Sequence, residues 1–397
     1  MVAAWWQRVG ISYVLLYLLP WPQVAERWLV VGSGKLLFGL TLTVFPRGSG
    51  DTTYNYVEIV VQLALAAMSA TAWQTAVRGR PVSPRTRDHV TMLVRYVLGA
   101  TMLGYGWAKV IPTQMPVPGP DRLLDAVGDM SPMGLLWTFM GASLPYQMLA
   151  GLAEAVGGLL LLWRRTTLLG ALILTGVLMN VVALNFAYDV PVKLYSSHLL
   201  GFALLLVAPH APRLVALLVL NRPTAPVELR PFPVQRTWVR RMALAAKVVV
   251  VMSVAIPPIV TSYQSAQRYG FLSPRHALSG LYRVSAFTRT DGTAVDDGTR
   301  RWVRLAVDTS GGSMVLVRAD GAKQRVSLII DPRRGVWTMQ TPEEGAVRLG
   351  YRVGANGVIT LDGTMANDPV QMVLTPEGES LLLGRGFHWI NEYPFNR

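Results

Sequence analysis

Cysteine is absent from this chain of 397 residues. Thiolate nucleophiles, disulfide exchange, persulfide carriage, Cys-ligated zinc and ordinary iron–sulfur clusters are therefore outside its chemistry. Charge is scarce too: charged types make up only 15% of residues against 51% hydrophobic, a membrane-protein balance rather than a soluble-domain one. There are five histidines, and only His198 falls clearly within an apolar stretch, which disfavours a bis-histidine haem. No HExxH spacing, no GxGxxG after a strand pattern, no Walker sequence and no nucleophile elbow occurs, so neither a metal nor a nucleotide is expected.

What charge there is lies unevenly. The net charge is +14, with 21 basic and 10 acidic residues in 1–262 and 16 and 13 in the remainder. A basic excess confined to the apolar part fits arginines holding membrane loops on the cytoplasmic side, and no soluble segment carries the basic stripe that nucleic acid would need. A span needs about 20 largely apolar residues. Suitable runs are Ala3–Pro20, Tyr56–Val77, Val90–Ile111, Met133–Trp163, Thr167–Tyr188, Lys193–Pro209 and Met242–Ser262. The fourth is too long for one simple span, so SPMGLLWTFMGAS reads as a surface or re-entrant piece before a helix from about Pro145. Arg8, the Arg78–Arg87 quartet, Arg164 with Arg165, and the run from Arg213 to Arg241 all fall on one face when seven spans start from a cytoplasmic N-terminus. A cleaved signal peptide is the weaker reading of the first span, since no clear small-x-small site follows it.

After Ser262 the pattern changes to short alternating runs, from LYRVSAFTR through VQMVLT to SLLLGR, separated by DG, GG, RRG, GANG and PEGE turn signals. Eight or nine strands at hairpin spacing predict an antiparallel meander, most simply an up-and-down barrel, placed outside the cytoplasm by the loop charges. The closing GRGFHWINEYPFNR is aromatic enough to predict that it docks on the membrane part or caps the barrel. The expected organisation is 1–89 with two spans, a core at 90–210, a basic connection at 211–241, a last span at 242–262 and a β-rich domain at 263–397.

Ionisable residues inside spans need a partner or a water-lined path. Glu58 with Gln62, Tyr105 with Lys109, the stripe Gln147–Gly151–Glu154–Gly158, Asn180 with Asn185, and Asp189, Lys193, Ser197 and His198 around Pro191 gather mostly in the outer half of the expected bundle. They predict a polar pocket open to the outside. The plainer alternative is that Asp189 pairs with Lys193 across a turn, His198 is a satisfied core histidine and the glycines serve helix packing. A Lys or His donor with a nearby carboxylate suits proton-coupled chemistry on a membrane-soluble quinone. A proton-coupled transporter could use the same set, but no internal repeat supports it.

RYVLGATMLGYGWAKV, GLAEAVGGLLLLWRRTTLLGALI and NFAYDVPVKLYSSHLL resemble the DoxX-like membrane proteins, over about residues 90–210. FPRGSGDTTYNYV, SPMGLLWTFMG and the terminal RGFHWINEYPFNR are similar to a large-form branch with extra helices and a β-rich C-terminal domain. The resemblance implies a four-helix core, with Lys109 and Glu154 at its recurrent polar places, and a quinone-linked redox role, some relatives being thiosulfate:quinone oxidoreductase subunits. Asp189, Lys193 and His198 match the branch pattern only. The extra spans and outer domain depart from the small proteins carrying that activity, which puts thiosulfate in doubt. The resulting expectation is a bacterial inner-membrane protein acting as, or within, a quinone-linked redox system, with a possible redox partner protein. Glu154, Lys193, His198 and Asp189 would carry the chemistry, and Lys109, Tyr105, Glu58 and Asn185 would line the quinone site. The alternative is a non-enzymatic scaffold or carrier whose β-domain binds a lipid, a polymer or a partner protein.

Overall fold

A computed structural model describes residues 2–44, 49–226, 236–273, 277–289, 292–293, 301–309, 312–341, 345–365 and 368–396. FPRG at 45–48 and residues 227–235 of the basic connection, both used above, lie outside the described residues. The chain divides into two compact units, 1–111 with 148–262, and 112–147 with 263–397.

The first unit is helical. In chain order the α-helices among the described residues are α1 (Val2–Leu18), α2 (Gln23–Phe38), α3 (Thr53–Ala76), α4 (Pro84–Val110), the short α5 (Pro120–Leu123), α6 (Pro132–Ala142), α7 (Leu144–Leu161), α8 (Thr167–Ala187), α9 (Lys193–Val207), α10 (Ala211–Leu218), α11 (Thr237–Tyr269) and α12 (Leu381–Gly384). Local chemistry sets several starts. Thr52 and Asn55 form a reciprocal capping box for α3, while Ser83 before Pro84 and Ser131 before Pro132 cap α4 and α6.

Among the described residues, five helical runs are long and apolar enough to cross a membrane: Thr53–Ala76, Leu144–Leu161, Thr167–Ala187, Lys193–Leu218 and Thr237–Arg268. A sixth arises if α1 and α2, bent by 119°, count as one broken span. Two of the seven expected spans therefore look different in the structure: Ala3–Pro20 qualifies only together with α2, a helix that the sequence pattern did not signal, and Val90–Ile111 forms as α4 but is too polar to count by hydropathy alone. Glu26, Arg27, Lys35, Gly32 and Gly34 dilute the apolar run of α2. The long Met133–Trp163 stretch does break, into α6 and α7 around Ser143.

Glycines let α4 and α7 touch backbone to backbone. A Cβ at Gly106 would lie 2.6 Å from Ala155 N, one at Gly151 would lie 2.6 Å from Gly106 O, and Gly99 and Gly158 repeat the contact two turns along each helix. The glycines of the Glu154 stripe are thus packing residues. At the opposite end from Lys109, Arg95 donates to the Leu161 carbonyl from Nε (3.0 Å) and Nη2 (2.8 Å), satisfying an orphan acceptor at the end of α7. Fully buried Arg8 bonds Ala4 O, Gln74 Oε1 and Arg80 O, tying α1 to the turn after α3.

The second unit is a closed antiparallel barrel of eight strands: β1 (Gly280–Arg289), β2 (Trp302–Asp308), β3 (Ser313–Arg318), β4 (Lys323–Asp331), β5 (Val336–Thr341), β6 (Gly345–Val353), β7 (Ile359–Met365) and β8 (Asp368–Pro376). Each strand pairs with the next, and β1 closes on β8. Alternate residues point inward, as strand geometry requires. Leu305 and Val307, Met314 and Leu316, Trp337 and Met339, Ile359 and Leu361, and Met372 and Leu374 form one packed apolar interior. Asn356 and Gly357, both left-handed (φ 57° and 75°), make the tight connection between β6 and β7.

The ninth run, SLLLGR, is not a strand but the helical turn α12. Once β1 and β8 pair, the barrel has no edge for another strand to join. The tail does not cap the barrel: Phe387, Trp389 and Tyr393 are 77%, 90% and 85% exposed. Within it Phe387 stands edge-on to Trp389 and Arg385 lies over Phe395. The segment 112–147, read above as part of the membrane core, folds with the barrel. Leu124 is buried against Ala306 and Val315, Lys323 Nζ bonds Leu124 O (2.9 Å) and Asp125 (3.1 Å), and Arg325 pairs with Asp121.

Candidate functional site

The structure sorts the expected site residues into three groups, all in the helical unit. In the first, Lys109 on the last turn of α4 donates to both oxygens of Glu154 on α7, at 2.8 and 2.7 Å. Both side chains are buried, at 8% and 3% exposure. The Gly106–Gly151 contact lies one turn before each partner and brings the two backbones close enough for this bidentate pairing. Glu154, which has no partner nearby in sequence, thus finds one 45 residues away. The Lys109 ammonium also lies 5.6 Å from the Tyr105 ring centroid, and Tyr105 in turn faces Tyr195, ring to ring, at 6.4 Å.

The second group surrounds the turn between α8 and α9. Asp189 adopts the left-handed conformation (φ 50°) and its carboxylate accepts from Lys193 Nζ at 2.7 Å. The local pairing read from the sequence is therefore present. A second carboxylate joins it: Asp51 accepts from the backbone N–H groups of Lys193 (2.7 Å) and Leu194 (2.9 Å), capping α9, and lies 3.9 Å from Lys193 Nζ. Buried Asn185 donates to Ser196 Oγ at 3.0 Å.

The third group joins α1, α3 and α9. His198 Nδ1 lies 2.7 Å from the Leu194 carbonyl, where it can only donate, which leaves Nε2 to accept from the Tyr13 hydroxyl at 2.6 Å. The Tyr17 ring stacks on the imidazole at 4.2 Å and 6°. On α3, which packs against α1, Gln62 Nε2 donates to Glu58 Oε1 at 3.1 Å.

Catalytic candidates Lys193 and His198 are thus both engaged, the first by two aspartates and the second by Tyr13 and a carbonyl. Lys109, expected only to line the site, is the direct partner of Glu154. Sequence reasoning missed Asp51, Tyr13, Tyr17 and Tyr195. Tyr13 and Tyr17, four apart on one helix face, carried a readable stripe. Asp51 carried none, because its two N–H partners lie 142 and 143 residues away.

No family model matches the chain, and no solved structure matches it. A stretch of 129 residues is 30% identical to the uncharacterized protein YwoB of Bacillus subtilis (strain 168), covering 32% of this chain and 82% of that protein. On that coverage and identity, the chain belongs to the family of YwoB.

Proposed function

We propose that the protein is an integral inner-membrane protein of DoxX type acting as, or within, a quinone-linked redox system, with the Lys109–Glu154 pair as its proton-exchanging centre. The observation that carries this reading is the pair itself: an ammonium and a carboxylate, both buried and bidentate, set among apolar helices where ionised groups are costly. A quinone head group needs donors at its carbonyl oxygens and a proton source in an apolar setting. Lys109 retains one N–H beyond the two given to Glu154, and the Tyr105 ring lies 5.6 Å from its ammonium with the Tyr195 ring next to it, so the residues fit the group. When bound, a quinone supplies two-electron, two-proton redox chemistry; the chain's share is to bind the oxygens and move protons.

In this reading Lys109 would donate to a quinone oxygen, the Glu154 carboxylate would take up a proton from outside the site and return it to Lys109, and Tyr105 and Tyr195 would orient the ring. Asp51 and Asp189 fix Lys193 at the head of α9, which positions Tyr195 and His198 along it. The N-terminus is cytoplasmic and the barrel lies outside, with a redox partner protein supplying electrons.

A second reading, a non-enzymatic scaffold, is favoured by the mutual satisfaction of these buried charges and by the glycine packing around them. Titration of the full-length protein with decylubiquinone, alongside the Lys109→Met/Glu154→Leu double variant, separates the two. The redox reading expects saturable binding that weakens at least about tenfold, or about 1.4 kcal/mol, in the folded double variant. Equal binding by both proteins would remove the pair from any quinone site, and no saturable binding by either would leave only the scaffold.

A further inference from the structure

The outer surface of the barrel strands is apolar at one end only. Tyr282 of β1 lies opposite Pro376 of β8, and the Glu377 N–H donates to the Leu281 carbonyl, so the chain leaves the barrel at the rim where it entered. The antiparallel order puts the β2–β3, β4–β5 and β6–β7 connections at this same rim. Among the described strand residues only Ile329 and Val353 are large, apolar and exposed. Ile329 is close to the last residue of β4 and Val353 is the last residue of β6, so both belong to this rim. From it the tail extends with Phe387, Trp389, Ile390 and Tyr393 exposed. The β4–β5 connection adds exposed Arg333 and Arg334.

Apolar and aromatic side chains gathered at one end of a domain mark a surface that meets a partner or a membrane. The course of the chain favours the membrane. Helix α11, apolar enough to cross a bilayer, runs to Tyr269, and β1 starts on this rim at Gly280; the residues between them reach at most about 40 Å. A bilayer surface is therefore close to this rim and to no other feature of the barrel by necessity. Phe271 and Leu272, where the chain leaves α11, are exposed as well. Residue type points the same way. Trp and Tyr have an apolar body and a polar tip, which suits the head-group layer, and the arginines suit its phosphates.

We infer that this rim rests on the lipid head-group layer, with Phe387, Trp389, Ile390 and Tyr393 of the tail inserted in it as interfacial anchors. The inference rests on the membrane placement of α11 in the reading above and is independent of the quinone chemistry.

The chain has no cysteine, so a single introduced one carries a nitroxide label without competition. The test uses the full-length protein in nanodiscs of phosphatidylcholine and phosphatidylglycerol. The label is placed by Ile390→Cys in the tail, by Ala322→Cys in the β3–β4 turn at the opposite rim, or by Val249→Cys on the exposed face of α11. Collision rates are compared for oxygen, which concentrates in lipid, and for a water-soluble nickel chelate. The oxygen-to-nickel ratio at position 390 should exceed that at 322 severalfold, and should fall toward it when Trp389→Ser and Tyr393→Ser are added. Equal ratios at 390 and 322, shielding of 390 from both agents as a protein cover would give, or a ratio unchanged by the two serines would overturn the inference; a lipid-exposed label at 249 then leaves the membrane reading standing. A water-exposed label at 249 would overturn that reading and the inference with it.

Discussion

In the barrel, alternate residues of each strand fill the interior with apolar side chains, from Leu305 and Val307 to Met372 and Leu374, whereas the helical unit encloses Arg8, Gln62, Arg95, Lys109, Glu154 and Asn185. Barrel stability therefore follows area and packing, which are non-directional and add up residue by residue. In the helical unit, glycine contacts set the distance between helices, and enclosed charges such as Lys109, Glu154 and Arg95 depend on specific partners. Polar groups retained at that cost mark either function or packing specificity.

Single substitutions should show this contrast most strongly. Trp337→Ala opens a cavity in the barrel and should cost about 3–5 kcal/mol by denaturant titration. Glu154→Ala strands the Lys109 ammonium and should cost about as much, about 3–5 kcal/mol. The second loss should be largely reversed by adding Lys109→Met, whereas no single partner change should restore Trp337→Ala. A double variant as unstable as Glu154→Ala would mean that the pair is not an isolated unit.

Smaller effects sharpen the same comparison. Gly106→Val drives a side chain into the Ala155 and Gly151 backbone and should cost at least about 1–3 kcal/mol through overpacking, measured by melting temperature. Asp51→Ala removes the cap of α9 and should cost about 0.5–2 kcal/mol. The exposed latch between Lys323 and Asp125 is worth least, and Lys323→Ala should cost about 0.2–1 kcal/mol, decreasing with salt.

The barrel also carries a pH handle. Hydrogen bonds from Arg304, with support from Arg283, hold the Glu377 carboxyl below the usual carboxylate range. Its contribution is thus fully present above the unfolded value of about 4.3 and is lost as pH falls through the lower folded value. The melting temperature of the wild type should fall more steeply below that pH than that of Glu377→Gln; parallel curves would remove Glu377 from the account.

The barrel was the more legible half. Period-two alternation and turn residues such as Asn356–Gly357 are local signals, and eight of nine expected runs became strands. The ninth failed because closure is a property of the whole sheet. In the helical unit, Pro191 correctly marked the break between α8 and α9, and the Asp189–Lys193 pair was readable at four residues' spacing. The Lys109–Glu154 pairing was not, since nothing in either helix states which helix it meets. Helix α2 was hidden by its charges, and Asp51 by the distance to the helix it caps. The docking of 112–147 on the barrel rests on Leu124, Asp121 and Asp125, residues ordinary for a loop.

The most direct test of the proposed quinone-linked role is mass spectrometry of small molecules that copurify with the full-length protein, beside the Lys109→Met/Glu154→Leu variant. The account predicts near-stoichiometric quinone with the wild type and none with the folded variant. No quinone with the wild type, or the same amount with both, would contradict it.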